Sequence, residues 1–246
     1  APHEDLDKYP RTFDEDVAKF RARAIEIWGA SAVENSDRLA VFCPKVEEMY
    51  PSGIDLRVTH QKGTFVEVLG VSQQLEGKIR PQFFRGVATV VTKLLNAAQP
   101  TRAYFGQKDV QQTVVVRQMV RDLLMPVEIV GCPTVREPNG LAMSSRNVYL
   151  SEDEKEKMSV IYKALCLAQE RAQQAAEAQK PLSSAEVVES VEEVLSTEDA
   201  IIDEVEYVSL NHPDDFADVS AATPGSILSL AVKLSNGVRL IDNVII

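Results

Sequence analysis

The feature that most constrains this chain is a strand–helix–strand pattern between residues 102 and 132. Residues 102–106 are largely apolar and end in glycine, a helical pattern follows over 109–124, and an apolar run occupies 127–132. A strand, a helix and a second strand in this order form a βαβ unit with two parallel strands. Ligands of such sheets bind outside the carboxyl ends of the strands. We therefore expect a binding site where the polar residues after 106 and 132 lie.

The residues before this unit are predicted to extend the same α/β layer. A capping box at 12–15 predicts a helix that runs to Trp28. Apolar runs or alternation predict strands at 39–43 and between 53 and 70. Apolar residues recur at helical spacing over 84–99, which predicts an amphipathic helix. Together these elements predict a Rossmann-like, doubly wound parallel sheet that is buried on both faces.

The pattern changes after Tyr149. Capping boxes at 151–154 and 183–186 predict one long helix that ends before Pro181 and a shorter one that ends near Leu195. Strands are predicted at 204–210, 226–234 and 238–246, and Asn236-Gly237 predicts a type I′ turn. Helices followed by antiparallel strands are typical of an α+β domain. We therefore expect a Rossmann-like domain over residues 1–149 and a smaller α+β domain over 150–246.

Charge and cysteine content exclude several classes of partner. The net charge of −11 over 246 residues leaves no broad basic face for nucleic acid. Cys43, Cys132 and Cys166 are too few for a disulfide framework. They predict buried free thiols in a reducing compartment, and hence a cytoplasmic protein. Apolar runs stay below the ~18 residues of a membrane span, and no signal peptide is recognised, so no membrane partner is expected.

Lys108 is the first candidate for catalysis, because it follows a predicted strand and precedes a predicted helix. A cation and a helix N-terminus at that edge suit phosphate. As an ordinary surface residue, Lys108 would instead pair with Asp109 or Glu137. Asp109 and Gln112 also have the spacing of a capping box, which needs no ligand.

The second candidate is the loop Met143-Ser144-Ser145-Arg146. Its hydroxyls and planar guanidinium suit phosphate oxygens, although a Ser-Ser pair is also common in ordinary turns.

Short motifs along the whole chain resemble the pantothenate synthetase family, ligases that join pantoate to β-alanine with ATP. They occupy residues 5–12, 48–51, 106–109, 111–112, 143–147 and 239–243. Residues 106–109 are Gly-Gln-Lys-Asp where the family has Gly-Glu-Lys-Asp. Residues 143–147 resemble its version of the KMSKS-type loop of class I adenylating nucleotidyltransferases. Each motif is weak alone, but their order and spacing are specific.

The resemblance implies a reaction and a set of residues. Pantoate and β-alanine would condense through a pantoyl adenylate to give pantothenate, AMP and pyrophosphate, in coenzyme A biosynthesis. It also implies Mg²⁺ with ATP, a homodimer and a C-terminal lid, but the metal ligands are unknown. Lys108, Ser144, Ser145 and Arg146 would be catalytic, and Gln112 would bind pantoate. The implied ATP contacts are Gly106, Gln107, Lys108, Asp109, Val135, Met143, Ser144, Ser145 and Arg146.

Two departures from the family pattern lead to alternatives. The sequence has no His-x-Gly-His signature, and Phe83 stands where many relatives have histidine, for which we expect a packing or substrate-wall role. Without the signature, this chain is expected to bind nucleotide weakly and not to make pantothenate. One alternative is a non-catalytic nucleotide-binding or dimerisation fragment of such an enzyme. The other is a cytidylyltransferase on the same fold, which the paired glutamines and the C-terminal motif fit less well.

Overall fold

The computed structural model describes residues 9–34, 38–55 and 57–246, in two compact units divided after Thr64. The described part of the first unit contains α1 (Phe13–Trp28), α2 (Ala30–Glu34), α3 (Val46–Met49) and a 3₁₀ turn (Val58–His60). Helix α1 has the predicted bounds. Its predicted capping box is wrong, because the Thr12 hydroxyl lies 3.1 Å from Asp16 Oδ2 and donates to it instead of accepting a backbone N–H.

Two strand predictions are wrong. The described residues of 39–43 and 53–70 form no strand, and the second segment contains the 3₁₀ turn instead. Cys43, predicted to be buried, is exposed, and Cys132 and Cys166 are only partly buried. An apolar run becomes a strand only when a neighbouring strand accepts its backbone hydrogen bonds. Neither segment has such a neighbour in the described part of the chain.

The second unit, Phe65–Ile246, contains the predicted βαβ unit. Strands β1 (Arg102–Gly106) and β2 (Glu128–Cys132) are parallel and pair in register from Arg102 with Glu128 to Gly106 with Cys132. These two strands make up the parallel sheet among the described residues. Helix α6 (Val110–Asp122) connects them, and α4 (Glu76–Ile79) and α5 (Phe83–Ala98) precede them. Gly106 pairs with Cys132, so the loops that carry the predicted site residues leave the sheet side by side at the same edge.

The C-terminal part follows the predicted α+β pattern. It contains α7 (Glu152–Lys157), α8 (Val160–Glu177), α9 (Ser184–Leu195), β3 (Ile202–Asn211), β4 (Ile227–Leu234) and β5 (Arg239–Ile245). The three strands form an antiparallel sheet in the order β3-β4-β5. The capping boxes at Ser151 and Ser183 are confirmed. The prediction of a single long helix is wrong, because the helix is interrupted between α7 and α8. The Met158 side chain at this interruption is fully buried.

The turn between β4 and β5 differs from the predicted type. A type I′ turn requires positive φ at both central residues. Gly237 has a φ of 85°, but Asn236 is absent from the described residues with positive φ. The Gly237 N–H donates to the Leu234 carbonyl, and the Leu234 N–H donates to the Val238 carbonyl, both at 2.8 Å. The connection is therefore a three-residue hairpin loop that places glycine in the left-handed region.

Two buried clusters fill the second unit. One is formed mainly by α5, α6 and their neighbours, and it also includes Phe216 and Ile227 from the C-terminal part. The other is formed by α8, α9 and the antiparallel sheet, and it includes Leu141. Residues from each side of the expected boundary thus pack into the cluster formed mainly by the other side. The division into 1–149 and 150–246 stays a prediction. In the described part of the chain, no helix combines the length and apolarity needed to cross a bilayer.

Candidate active site

Lys108 lies in a 3₁₀ turn, Gln107–Asp109, between β1 and α6. Its side chain is only 19% exposed, and its Nζ lies 3.7 Å from Asp109 Oδ1, on a side chain that is 53% exposed. The predicted alternative, an ion pair with Asp109, is therefore present. At 3.7 Å this pair is longer than a hydrogen bond, so it leaves the ammonium donors available to a ligand. Lys108 is thus a largely buried cation at the carboxyl end of a parallel strand.

The paired glutamines differ in environment. Gln111 is buried, and its Nε2 donates to the carbonyls of Val71 at 3.0 Å and Gln74 at 2.8 Å. Its Oε1 accepts the Glu76 N–H at 3.2 Å. Gln111 therefore fixes the segment before α4, a role that the sequence analysis missed.

Gln112 is half-buried, and no hydrogen bond of its amide side chain is found among the described residues. The capping box that would have used Gln112 is absent, since the Asp109 side chain makes no cap hydrogen bond. The competition between capping and substrate binding at Gln112 is thereby removed.

The loop after β2 folds back on itself and places Val135 beside Met143. The Met143 N–H donates to the Val135 carbonyl at 2.9 Å, and Arg136 and Ala142 form an antiparallel bridge. Val135 is 67% exposed and Met143 is 50% exposed. Two apolar side chains held side by side and left uncovered suit a flat apolar group such as a nucleotide base.

The segment that follows, residues 144–149, is called the serine loop here, and a buried asparagine anchors it. Ser144 begins a 3₁₀ turn, Ser145–Tyr149, and its Oγ accepts the Arg146 N–H at 3.3 Å. Asn147 is buried and donates to the Ala142 carbonyl at 3.1 Å. The Arg146 side chain is exposed and Ser145 is half-buried. The loop is thus anchored by Asn147 while the guanidinium of Arg146 stays accessible.

Side chains of strand β5 form hydrogen bonds with both of the loops that follow β1 and β2. The Nδ2 of the buried Asn243 donates to the carbonyls of Gln107 and Lys108, at 2.9 Å each. The neighbouring Asp242 is also buried and accepts two bonds from Arg136, at 2.5 and 3.1 Å. Sequence reasoning singled out 239–243 as a motif, but it did not predict these contacts.

Arg136 also stabilises the loop in which it lies. The guanidinium donates to the Gly140 carbonyl at 3.1 Å and lies 3.6 Å from the centre of the Tyr162 ring. A planar cation that is paired and stacked in this way has little freedom to move. The Asp242–Arg136 pair therefore fixes the loop that carries Val135 and Met143.

Arg239, at the start of β5, belongs to an ionic cluster around the buried carboxylate of Glu76. It donates to both oxygens of Glu76, at 2.5 and 2.9 Å, and to Glu206 at 2.5 Å. Tyr207 and Arg80 also donate to Glu76, at 2.8 and 2.9 Å. Burial alone would raise the pKa of Glu76, but the hydrogen bonds and charge of Arg239, together with Tyr207 and Arg80, lower it below its ordinary value.

Phe83, at the position where many relatives carry histidine, has clear packing contacts. The Arg80 guanidinium lies 3.7 Å from the centre of its ring, and Phe84 packs against it edge to face with ring centres 5.1 Å apart. A cation–π contact and an aromatic pair both favour this placement. These contacts agree with the packing role expected for Phe83.

No metal site is evident in residues 9–34, 38–55 and 57–246, since they contain no group of three His, Cys, Asp or Glu side chains that could hold an ion.

Comparison with known proteins identifies the family. The family model for pantoate-beta-alanine ligase matches residues 1–245. The chain therefore belongs to the pantoate–β-alanine ligase family. This membership confirms the resemblance inferred from the motifs, and it favours a ligase over the fragment and cytidylyltransferase alternatives.

Relatives and solved structures of this ligase family match over almost the whole chain. The chain is 49% identical to pantothenate synthetase from Chloroflexus aggregans, over 99% of this chain and 78% of that protein. A crystal structure of pantothenate synthetase from Thermus thermophilus has a TM-score of 0.80 at 40% identity, over 99% of this chain and 78% of that one. The predicted α/β fold class, with a parallel sheet and a separate antiparallel sheet, is confirmed.

A second solved structure carries bound ligands. Pantoate-beta-alanine ligase from Francisella tularensis, complexed with beta-gamma ATP and beta-alanine, has a TM-score of 0.64 at 27% identity, over 98% of this chain and 72% of that one. ATP as a substrate is therefore supported for the family to which this chain belongs.

We expect Glu76→Gln to lower the free energy of unfolding at neutral pH. We also expect this free energy to fall less steeply in acid than it does in the wild type. Removing one partner of a buried ion pair costs about 3 kcal/mol, and here it leaves Arg239 and Arg80 facing a neutral amide. The folded-state pKa of Glu76 is lowered from 4.5. Its stabilising contribution is therefore present above that value and is lost as the pH falls through the folded-state pKa. Urea unfolding between about pH 7 and pH 3 measures both effects.

The matched control is Glu204→Gln, an exposed carboxylate on β3 of the antiparallel sheet that carries Arg239. It should change the unfolding free energy by less than about 0.5 kcal/mol at neutral pH. If the free energy of unfolding fell equally steeply with acid in Glu76→Gln and in the wild type, Glu76 would not be a source of the acid sensitivity.

Proposed function

We propose that this protein condenses pantoate with β-alanine at the expense of ATP, through a pantoyl adenylate. The observation that carries the proposal is the position of Lys108. This largely buried cation lies at the carboxyl end of β1, at the same sheet edge as the loop that holds Val135 beside Met143. Membership of the ligase family supports the same reaction, against the expectation, drawn from the missing His-x-Gly-His signature, that this chain makes no pantothenate.

The chemistry requires the carboxylate to be activated, because its oxygen is a poor leaving group. A pantoate carboxylate oxygen forms a bond to the α-phosphorus of ATP, the α–β bridging bond breaks, and pyrophosphate leaves with the electron pair. The β-alanine amine then attacks the acyl carbon, loses a proton and displaces AMP. Neither step needs a covalent enzyme intermediate, so the protein contributes positioning and charge stabilisation.

The residues that we assign to substrate binding lie in two parts of the chain, one after β1 and one after β2. At the end of β1 and in the turn that follows it, we assign Gly106, Gln107, Lys108 and Asp109 to ATP, with the Lys108 ammonium stabilising charge on the phosphates. Gln112 is assigned to pantoate, since its amide is not used for capping.

On the loop after β2, we assign Val135 and Met143 to the adenine ring. Ser144, Ser145 and Arg146 are assigned to the phosphates. The exposed guanidinium of Arg146 can approach phosphate oxygens in a bidentate manner.

The remaining expectations are proposals that rest on the family resemblance. Mg²⁺ would enter bound to the phosphates of ATP, and we assign it no ligands among the described residues. A homodimer and a cytoplasmic location likewise stay predictions.

Lys108→Ala in the full-length protein should impair adenylate formation far more than folding. Loss of a preorganised cation beside developing charge costs ~3 kcal/mol, or on the order of a hundredfold in rate. Pantoate-dependent exchange of labelled pyrophosphate into ATP measures that step directly. The control is Lys163→Ala, which removes an exposed lysine of α8 and should leave the exchange rate unchanged. A Lys108→Ala protein with the wild-type exchange rate would remove Lys108 from the site.

We also propose that residues 150–246 act as a lid over bound ATP. Asp242 accepts from Arg136, and Asn243 donates to the Lys108 carbonyl. These bonds restrict the motion, because closure must either keep them or carry the loops after β1 and β2 with the sheet. ATP should therefore slow limited proteolysis between residues 147 and 154, where the serine loop meets α7. Equal cleavage rates with and without saturating ATP would count against closure.

A further inference from the structure

We propose that Asn243 is a positioning residue for adenylate formation, acting through the backbone of Gln107 and Lys108. The inference rests on the proposed role of Lys108. It adds a residue from the far end of the chain, outside both loops that were predicted to form the site.

The contact uses the full donor capacity of the asparagine amide. Nδ2 carries two hydrogens and donates to two consecutive carbonyls, of Gln107 and Lys108, at 2.9 Å each. Gln107 Nε2 in turn lies 3.5 Å from Asn243 Oδ1 and donates to it. An aspartate would lack both donors, and a serine would supply one. The side chain therefore matches the two carbonyls that begin the turn carrying the lysine.

Asn243 itself is rigidly held. It is 1% exposed and pairs with Ser229 of β4 in the ladder of the antiparallel sheet. Its own N–H donates to Asp242 Oδ1 at 2.8 Å, the oxygen that also accepts from Arg136 Nη2 at 3.1 Å. Two adjacent residues of one strand thus fix the loops after β1 and β2 relative to each other.

The Lys108 turn depends on such support. Lys108 lies before α6, in a single 3₁₀ turn, where the regular hydrogen bonds of an α-helix are not available. The position of its Nζ is set by this backbone together with the torsions of a long, flexible side chain. A displacement of about 1 Å at a reacting group is enough to lower a rate on the order of a hundredfold. Loss of the amide should therefore reduce the rate of the chemical step.

The chain offers a matched control in Asn211. This asparagine is also fully buried in the antiparallel sheet, and its Nδ2 also donates twice, to the Phe216 carbonyl at 3.1 Å and to Asp218 Oδ1 at 3.0 Å. Its partners lie in the 211–218 segment and not at the Lys108 turn. Asn243→Ala and Asn211→Ala therefore remove the same group from similar environments, and only one of them is bonded to the proposed site.

The test combines kinetics with amide hydrogen exchange on full-length protein. For Asn243→Ala, we expect the kcat of pantoate-dependent pyrophosphate exchange, per folded molecule, to fall at least about tenfold, with a smaller change in the KM for ATP. Amide exchange should accelerate at residues 107–110. Asn211→Ala should keep kcat within about twofold and accelerate amide exchange at 212–218. Asn243→Ser, which keeps one donor, should be intermediate and covers the case in which the alanine variant does not fold.

An unchanged kcat in folded Asn243→Ala or Asn243→Ser, or unchanged exchange at 107–110, would overturn the proposal. So would an equal loss of kcat in Asn211→Ala, since that would mark a general effect of destabilisation. If the wild type itself shows no pantoate-dependent exchange, the proposed function fails. Hydrogen exchange at 107–110 still decides in that case whether Asn243 holds the turn.

Discussion

The structure of the candidate site depends on three polar side chains of β5, of which two are buried and Arg239 is partly buried. Arg239 pairs with Glu76, Asp242 pairs with Arg136, and Asn243 holds the carbonyls of Gln107 and Lys108. A buried charge or amide that loses its partner is left without water to replace it, which makes separation costly. The strand and the loops that it contacts are therefore coupled. The geometry around Lys108 is complete only when the C-terminal sheet has formed.

This coupling bears on how a lid could work. The candidate ATP residues lie on loops after β1 and β2, and both loops are bonded to β5. A hinge that swings the whole antiparallel sheet away would have to break a bidentate ion pair and two amide hydrogen bonds. Movement of the serine loop, which is anchored through Asn147 to the Ala142 carbonyl, leaves those bonds intact. The described contacts therefore restrict the proposed lid movement of residues 150–246 to a closure that keeps these bonds, accompanied by local rearrangement near residues 144–149.

The parts of the fold that could be predicted from sequence are those determined by nearby residues. The capping box at Ser183 depends on a glutamate three positions later, and the bounds of β1 depend on an apolar run that ends in glycine. The strands predicted at 39–43 and 53–70 were wrong because a strand also needs a partner, which a local pattern cannot show. The type I′ turn was wrong because only Gly237 of the Asn-Gly pair has positive φ.

The same limit applies to the site. Sequence order placed the candidate loops at the ends of two parallel strands, and the structure brings Val135 beside Met143 at that edge. The roles of Gln111 and Asn243 were missed because their partners are distant; Asn243 lies 135 residues from Lys108. A usable signal was present in Asp242-Asn243, two polar residues inside the otherwise apolar run 240–246. Buried polar residues of this kind require partners, which marks them as sites of long-range contact.

The most direct test of this account is a double-mutant cycle between Lys108 and Asn243, with pantoate-dependent pyrophosphate exchange as the readout. If Asn243 acts by positioning Lys108, the two substitutions remove one function and their effects should not add. Asn243→Ala should lower the exchange rate about tenfold or more in the wild-type background. In the Lys108→Ala background it should lower the rate less than about twofold. An equal loss in both backgrounds would contradict the coupling between β5 and the lysine.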